Sequence, residues 1–322
     1  MSTTPPSETF KKVFEWLDEA RDRFFAEYIP DNLIVPLLYH YTSAAGLTAI
    51  IETSSIFGTH INFLNDSSEV KHAYAFASAT FDECKDIPFV APAVSGKKLA
   101  EYGHEFFDSR KILCKTDAYV TSFCERGDLL SQWRGYAMEG FSIGFHALFS
   151  TEKREFLLRN QRTWPLTIGK VLYSDDDKKS KLVRILVAAI KAINKLEVSD
   201  KQEVMQHMIG VVCSMQLQTW VHSVKDKTFE EEREWRIISF QDMPDQPIKS
   251  DEGFLVRVSN GQLIPTIRLT PDDGKILPID QIICGPNSSG ELTESAVRLL
   301  LLSRGYFAFK VKTSRIPFRS KY

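Results

Sequence analysis

A chain of 322 residues, 43% hydrophobic and 11% aromatic, can bury a sizeable core as one large domain or two small ones. Its formal net charge of -2 gives no electrostatic reason to expect general binding to nucleic acid or membrane surfaces. No apolar run approaches the ~20 residues of a membrane span, the start MSTTPPSETFKK has no apolar signal core, and five scattered cysteines without a CxxC pair suit a reducing cytoplasm and not structural zinc.

In chain order, an amphipathic stripe of Phe10, Val13, Phe14, Leu17, Phe24 and Tyr28 predicts a helix from Ser7 to about Tyr28. LLYHYT reads as a strand. Thr42 or Ser43 can cap the next helix, which carries Leu47, Ile50 and Ile51. IFGTHINF reads as a strand that Asn65-Asp66 breaks, and Asp66 to Glu69 has the spacing of a capping box for a helix to about Cys84. A helix from about Lys97 to Leu113 follows a loop. AYVTSFCE, a short helix around Leu129 to Tyr136, FSIGFHAL and LTIGKVLYS come next. Two long helices span about Lys179 to Leu196 and Lys201 to Val224. EREWRIISF, FLVRV, PTIRLT and IDQIICG are strands, then a helix (Thr293 to Ser303) and a final strand, FAFKVKT. The expected class is α+β: a mixed, largely antiparallel sheet core with inserted and flanking helices. The expected organisation is a helical extension over 1–30 and one α+β domain over 31–322, with a helical insertion at about 176–226.

The segment FEEEREWRII concentrates chemistry. As a strand it puts Glu232, Glu234 and Arg236 on one face and Trp235 and Ile237 on the other. Two carboxylates and a guanidinium on one face suit a pocket wall, or a solvated strand with its charges paired. In the first strand Leu38, His40 and Thr42 share one face, and Tyr39 and Tyr41 the other. Asn65 and Asp66 suit a turn and helix cap. Thr121 and Ser122 are small strand hydroxyls able to meet a ribose or amide. Trp133 and Tyr136, at i and i+3, form an aromatic edge that is core or a stacking surface. Glu69 and His72 have the E-x-x-H spacing, but a single copy is weak evidence for metal, and no metal is expected. There is no GxGxxG and no Walker sequence. Arg315 and Arg319 of SRIPFRS could meet a phosphate.

Taken together, YHYTS, FLNDSSE, SFCE, QWRGYA with GFSIGF, E-x-E-W-R and SRIPFR occur in an order that resembles a bacterial family catalogued as domain of unknown function 2971. The resemblance spans Leu38 to Arg319. That family name implies no activity. The opening strand with His40 and a hydroxyl, followed by helix and strand, also looks like the start of ADP-ribosyltransferase folds. The strand carries Thr121-Ser122 where one branch has Ser-Thr-Ser, and no arginine stands at that branch's first position.

What this second likeness implies is an ADP-ribosyltransferase-like sheet that uses NAD as substrate. Such a protein transfers ADP-ribose to a nucleic-acid or protein acceptor, or hydrolyses NAD, in a bacterial toxin or phage-defence role in the cytoplasm. Glu234 would stabilise the ribosyl cation, with Glu232 placing acceptor or water and His40 bonding the ribose. Tyr39, Tyr41, Thr42, Asn65, Thr121, Ser122, Trp133, Tyr136 and Arg236 would bind the substrate, and the acids, Arg236 and His40 would face one cavity. The alternatives are a metal-dependent nuclease or hydrolase, with Asp66, Glu69, Glu232 and Glu234 as oxygen ligands, and a non-catalytic nucleotide-binding sensor.

Overall fold

The computed structural model describes residues 8–27, 35–64, 69–108, 116–137, 139–146, 148–150, 155–156, 158–160, 166–196, 202–242, 253–259, 261–271, 275–286 and 290–317. Asn65, Asp66 and Arg319, and so the cap expected at Asp66, lie outside the described residues. The chain is α+β and divides into two compact units. The first gathers three segments, Met1–Asn32, Ser68–Lys115 and Leu172–Asp226; the second holds Leu33–Ser67, Thr116–Val171 and Lys227–Tyr322. The segments read from the sequence as an N-terminal extension and an insertion therefore belong to one unit, together with a third stretch of chain.

The first unit is helical: α1 (Glu8–Glu27), α3 (Glu69–Cys84), α4 (Gly96–Asp108), α6 (Asp175–Asn194) and α7 (Gln202–Val221). Their apolar stripes meet in a core that includes Phe24, Ala77, Phe81, Leu182, Ile185, Ile209 and Trp220. Ser174 caps α6 by accepting from Asp177 N at 3.1 Å, and Asp175, Asp176 and Asp177 fill its first turn, where the helix dipole favours acids. Lys178 is buried in this unit, with Nζ 2.9 Å from Asp175 Oδ1 and 5.4 Å from the centre of the Phe76 ring. Among the described residues no helix is long and apolar enough to cross a membrane.

The second unit is built on the sheet. Its strands are β1 (Leu38–Thr42), β2 (Ile56–His60), β3 (Thr116–Cys124), β4 (Phe141–Phe145), β5 (Phe149–Ser150), β6 (Glu155–Phe156), β7 (Leu158–Asn160), β8 (Leu166–Lys170), β9 (Glu234–Asp242), β10 (Phe254–Ser259), β11 (Gln262–Pro271), β12 (Ile279–Cys284) and β13 (Lys310–Thr313). Its helices are α2 (Ala44–Thr53), α5 (Leu130–Tyr136) and α8 (Glu291–Ser303). Neighbours run in the order β10-β11-β2-β3-β1-β4-β12-β13, with β9 on β3 and β8 on β9. Pairing is antiparallel except for β12 with β13, and β5 pairs only with β6.

Two local features differ from the sequence reading. IFGTHINF is not one strand: after β2, Ile61–Phe63 turn into a 3₁₀ helix because His60 Nδ1 accepts from Asn62 N at 3.2 Å. Nor is Glu232 in the charged strand. Lys227–Glu232 form a 3₁₀ helix, Arg233 takes a left-handed φ of 44°, and β9 starts at Glu234. The residue at positive φ breaks the alternation that would have set Glu232 beside Glu234.

Ser43 caps α2, its side chain accepting from Gly46 N at 3.1 Å. Gly46 leaves room there for the Thr42 side chain, since a Cβ would lie 2.0 Å from Thr42 Oγ1 and would force that hydroxyl to move.

Candidate functional site

Register decides which side chains share a face. Tyr39 of β1 opposes Cys124 of β3, and Cys124 opposes Glu234 of β9. Directly opposed residues point to the same side, so alternation adds Tyr41, Ser122 and Arg236 to that face. The other face carries Leu38, Phe123, Ile143, Trp235 and Ile237, which form the main core of the unit.

On the first face, two small apolar clusters flank a polar strip. One consists of Tyr41, Cys124, Trp133, Ala137 and Ile283, and the other of Ala118, Val120, Ile238 and Phe240. Between them, Arg236 grips Glu234 with a fork: Nε to Oε1 at 2.8 Å and Nη2 to Oε2 at 3.0 Å. Glu234 is 5% exposed and Arg236 1%. This geometry commits Glu234 to a buried ion pair and does not leave it as an accessible acid, contrary to the expectation for a cleft carboxylate. Glu232 is half-buried and accepts from the Tyr136 hydroxyl at 3.3 Å.

The aromatic residues expected to stack on a substrate divide. Trp133 has no exposed surface; it meets Tyr41 edge to face at 4.8 Å and donates Nε1 to Asp128 at 2.7 Å. It is packing, because both its ring and its N–H are already used. The Tyr41 hydroxyl is also occupied, donating to Arg126 O at 2.8 Å and accepting from Leu129 N at 3.0 Å; burial pushes its pKa up. Tyr39 pairs its hydroxyl with the Gln281 amide. Tyr136 remains exposed. Burial pushes the Cys124 thiol up to about 11, which removes it as a nucleophile at neutral pH. Thr121 lies on the core face, where its Oγ1 is shut from solvent without a hydrogen-bond partner among the described residues. Ser122 is half-buried beside Arg236.

His40 does not join this strip. It alternates with Tyr39 and so starts on the side opposite Glu234. What places it is a split in the sheet. β1 pairs with β3 only at Tyr39↔Cys124, whereas β2 pairs with β3 at Val120 and Tyr119. Extending both registers would make the two strands overlap on Thr121 and Ser122, so they cannot both pair with β3 there, which leaves a notch in the strand pairing. The His40 ring lies beside it, with Nδ1 3.0 Å from the Ser122 carbonyl and its centre 5.9 Å from that of the Phe123 ring, edge to face.

A carbonyl only accepts, so Nδ1 carries the proton. Burial holds the His40 pKa below its ordinary value; the Ser122 bond acts the other way, and the Arg257 charge adds to the lowering. The neutral ring therefore keeps an unshared pair on Nε2. Thr42 sits half-buried two residues on, along the same side of β1.

The Arg257 contribution exposes residues that the sequence reading passed over. Arg257 of β10 donates Nη2 to Thr59 Oγ1 at 3.1 Å, and its guanidinium carbon lies 5.9 Å from the centre of the Phe57 ring. Phe57 opposes Arg268, and Thr59 opposes Thr266. The alternation within FLVRV and PTIRLT contained this pattern, but only the hairpin register puts both arginines on one face.

A further hub was also missed. Asp128 accepts from Trp133 Nε1 at 2.7 Å, Ser314 Oγ at 2.6 Å and Arg315 N at 3.0 Å, which ties the SRIPFR segment down through its backbone. Among the described residues no three His, Cys, Asp or Glu side chains gather as a metal site. Glu69 of the E-x-x-H spacing lies 3.4 Å from Lys225 Nζ, inside the helical unit.

Residues 132–237 match the family described as "Protein of unknown function (DUF2971)". The matched stretch contains Trp133, Tyr136, Glu232, Glu234 and Arg236, and it excludes His40 and Arg257. No curated protein and no solved structure matches the chain. The likeness to ADP-ribosyltransferase folds rests on the residues alone.

Proposed function

We propose that the sheet unit binds a nucleotide in the notch beside His40, and that NAD is the nucleotide it takes. The observation that carries this reading is the His40 ring, held with Nδ1 at the Ser122 carbonyl, which leaves Nε2 as the acceptor nitrogen with no partner among the described residues. An unprotonated imidazole nitrogen held at a notch suits a ribose hydroxyl, which has a proton to donate. Arg257 of β10 is the guanidinium that this reading offers to a phosphate.

Cleavage of the nicotinamide–ribose bond is the reaction that the likeness to ADP-ribosyltransferases suggests. It needs an ionised carboxylate beside the ribose. Glu234 is committed to Arg236, so geometry supports the binding half of the reading more strongly than the catalytic half.

Two measurements test it. Calorimetric titration with NAD should give saturable binding, and His40→Ala should weaken it by about tenfold or more, the equivalent of one good hydrogen bond. Failure of NAD to bind at millimolar concentration, or indifference to His40→Ala, overturns the reading. Nicotinamide release, measured with and without nucleic acid, then separates a transferase or glycohydrolase from a sensor that binds without turnover.

A further inference from the structure

We propose that Arg257 and Arg268 form a diphosphate subsite on the β2–β11–β10 face. This rests on the nucleotide reading above and narrows it to ligands that carry a pyrophosphate, such as nucleoside diphosphates and dinucleotides.

Two observations converge. First, Arg257 reaches across from β10 to Thr59 and Phe57 on β2, while Arg268 of β11 stands directly opposite Phe57. Opposed residues in an antiparallel pair have Cβ atoms about 4.5–5.5 Å apart, so both side chains start beside or end above the same aromatic ring. Second, among the described residues neither arginine pairs with a carboxylate. Arg268 Nε is closed to solvent and has no hydrogen-bond partner among the described residues. A buried donor left without an acceptor costs about 1–3 kcal/mol, and a chain of 42 acidic residues had carboxylates to offer. The registers set this pair on the side of the sheet that Ser122 and Arg236 share, since Thr59 opposes both Thr266 and Val120.

Two like charges held on one face, with no carboxylate partner among the described residues, call for an external anion of at least two charges. Guanidinium forks suit phosphate oxygens, each offering parallel N–H donors. The Thr59 hydroxyl, bonded to Arg257, is placed to donate its own proton to an oxygen of the same anion. A single phosphate satisfies one fork; a pyrophosphate, with oxygens spread over two phosphorus centres, can satisfy both.

The test is a series of titrations of the full chain with adenosine, AMP, ADP and inorganic pyrophosphate. ADP and pyrophosphate should each bind at least about tenfold more tightly than AMP, the equivalent of one charge-assisted bond. Arg257→Gln and Arg268→Gln should each erase that preference while leaving adenosine binding unchanged. Arg257→Lys keeps the charge without the fork and should recover only part of it. Arg304→Gln, which breaks a surface pair with Glu52, should change nothing and controls for loss of charge alone.

Equal affinity for AMP and ADP, or a preference untouched by both substitutions in variants that melt like the parent, overturns the subsite. The two proposals fail separately. NAD binding that depends on His40 but not on the arginines removes the subsite and keeps the nucleotide reading. Pyrophosphate binding that depends on the arginines, with NAD binding indifferent to His40, does the reverse.

Discussion

Replacing Glu234 by Gln tests whether this residue is a structural partner or an available acid. Glu234 and Arg236 are 5% and 1% exposed and joined by two hydrogen bonds of 2.8 and 3.0 Å. Glutamine keeps the volume, and its carbonyl can still accept from Arg236 Nε. Its amide NH₂, however, faces the Nη2 donor, and the counter-charge is gone. Removing one member of a buried ion pair costs about 3–5 kcal/mol, against about 0–1 kcal/mol for an exposed pair. With an m-value of about 3 kcal/mol per molar, that loss lowers the urea midpoint by about 1–1.7 M. Because the chain has two units, the midpoint should be read from hydrogen exchange of β3 and β9 amides, which report the sheet unit. The double substitution Glu234→Leu with Arg236→Met should recover most of the loss, since removing both charges leaves none stranded. A Glu234→Gln midpoint within the scatter of surface substitutions, about 0.5 kcal/mol, refutes the structural assignment and returns Glu234 to the list of free acids.

Three further outcomes are expected. Imidazole ¹⁵N shifts should show His40 neutral and protonated on Nδ1 at pH 7, and since burial holds its pKa below the ordinary 6.5, its contribution to stability should fall as pH drops through 6.5 toward the folded value; an Nε2–H tautomer contradicts the site geometry. Glu125 is raised by burial but brought to a net value below its ordinary 4.5 by Lys170 and Trp235, so it stabilises the fold above 4.5 and loses that contribution as pH falls through its folded pKa; Glu125→Gln should flatten the acid limb of a midpoint-versus-pH curve, and an unchanged limb shows that the pair with Lys170 contributes nothing. Asp128→Ala should strand the Trp133 and Arg315 N–H donors at about 1–3 kcal/mol each where buried, and proteolysis beyond Thr313 should accelerate; cleavage at the parental rate means that the tail is held elsewhere.

Local pattern was enough for most of the elements. Hydrophobic period determined α1, α6, α7 and the strands from β9 onward, and it separated Trp235 and Ile237 from Arg236, because a strand's alternation is a property of its own backbone. The opposite orientations of Tyr39 and His40 were legible for the same reason. Tertiary structure decided what those faces meet. A register is a long-range fact, and only Tyr39↔Cys124↔Glu234 tells that the charged strip and His40 lie on different sides. The 3₁₀ helices before Leu64 and at Lys227–Glu232 depend on one side-chain bond and one positive φ, which no periodicity encodes. Arg257 and Arg268 looked like ordinary strand charges until the β10–β11 hairpin and its pairing with β2 brought them to Phe57. Three distant segments make one helical unit for the same physical reason: apolar stripes bury one another wherever the chain can bring them together, without regard to separation in sequence.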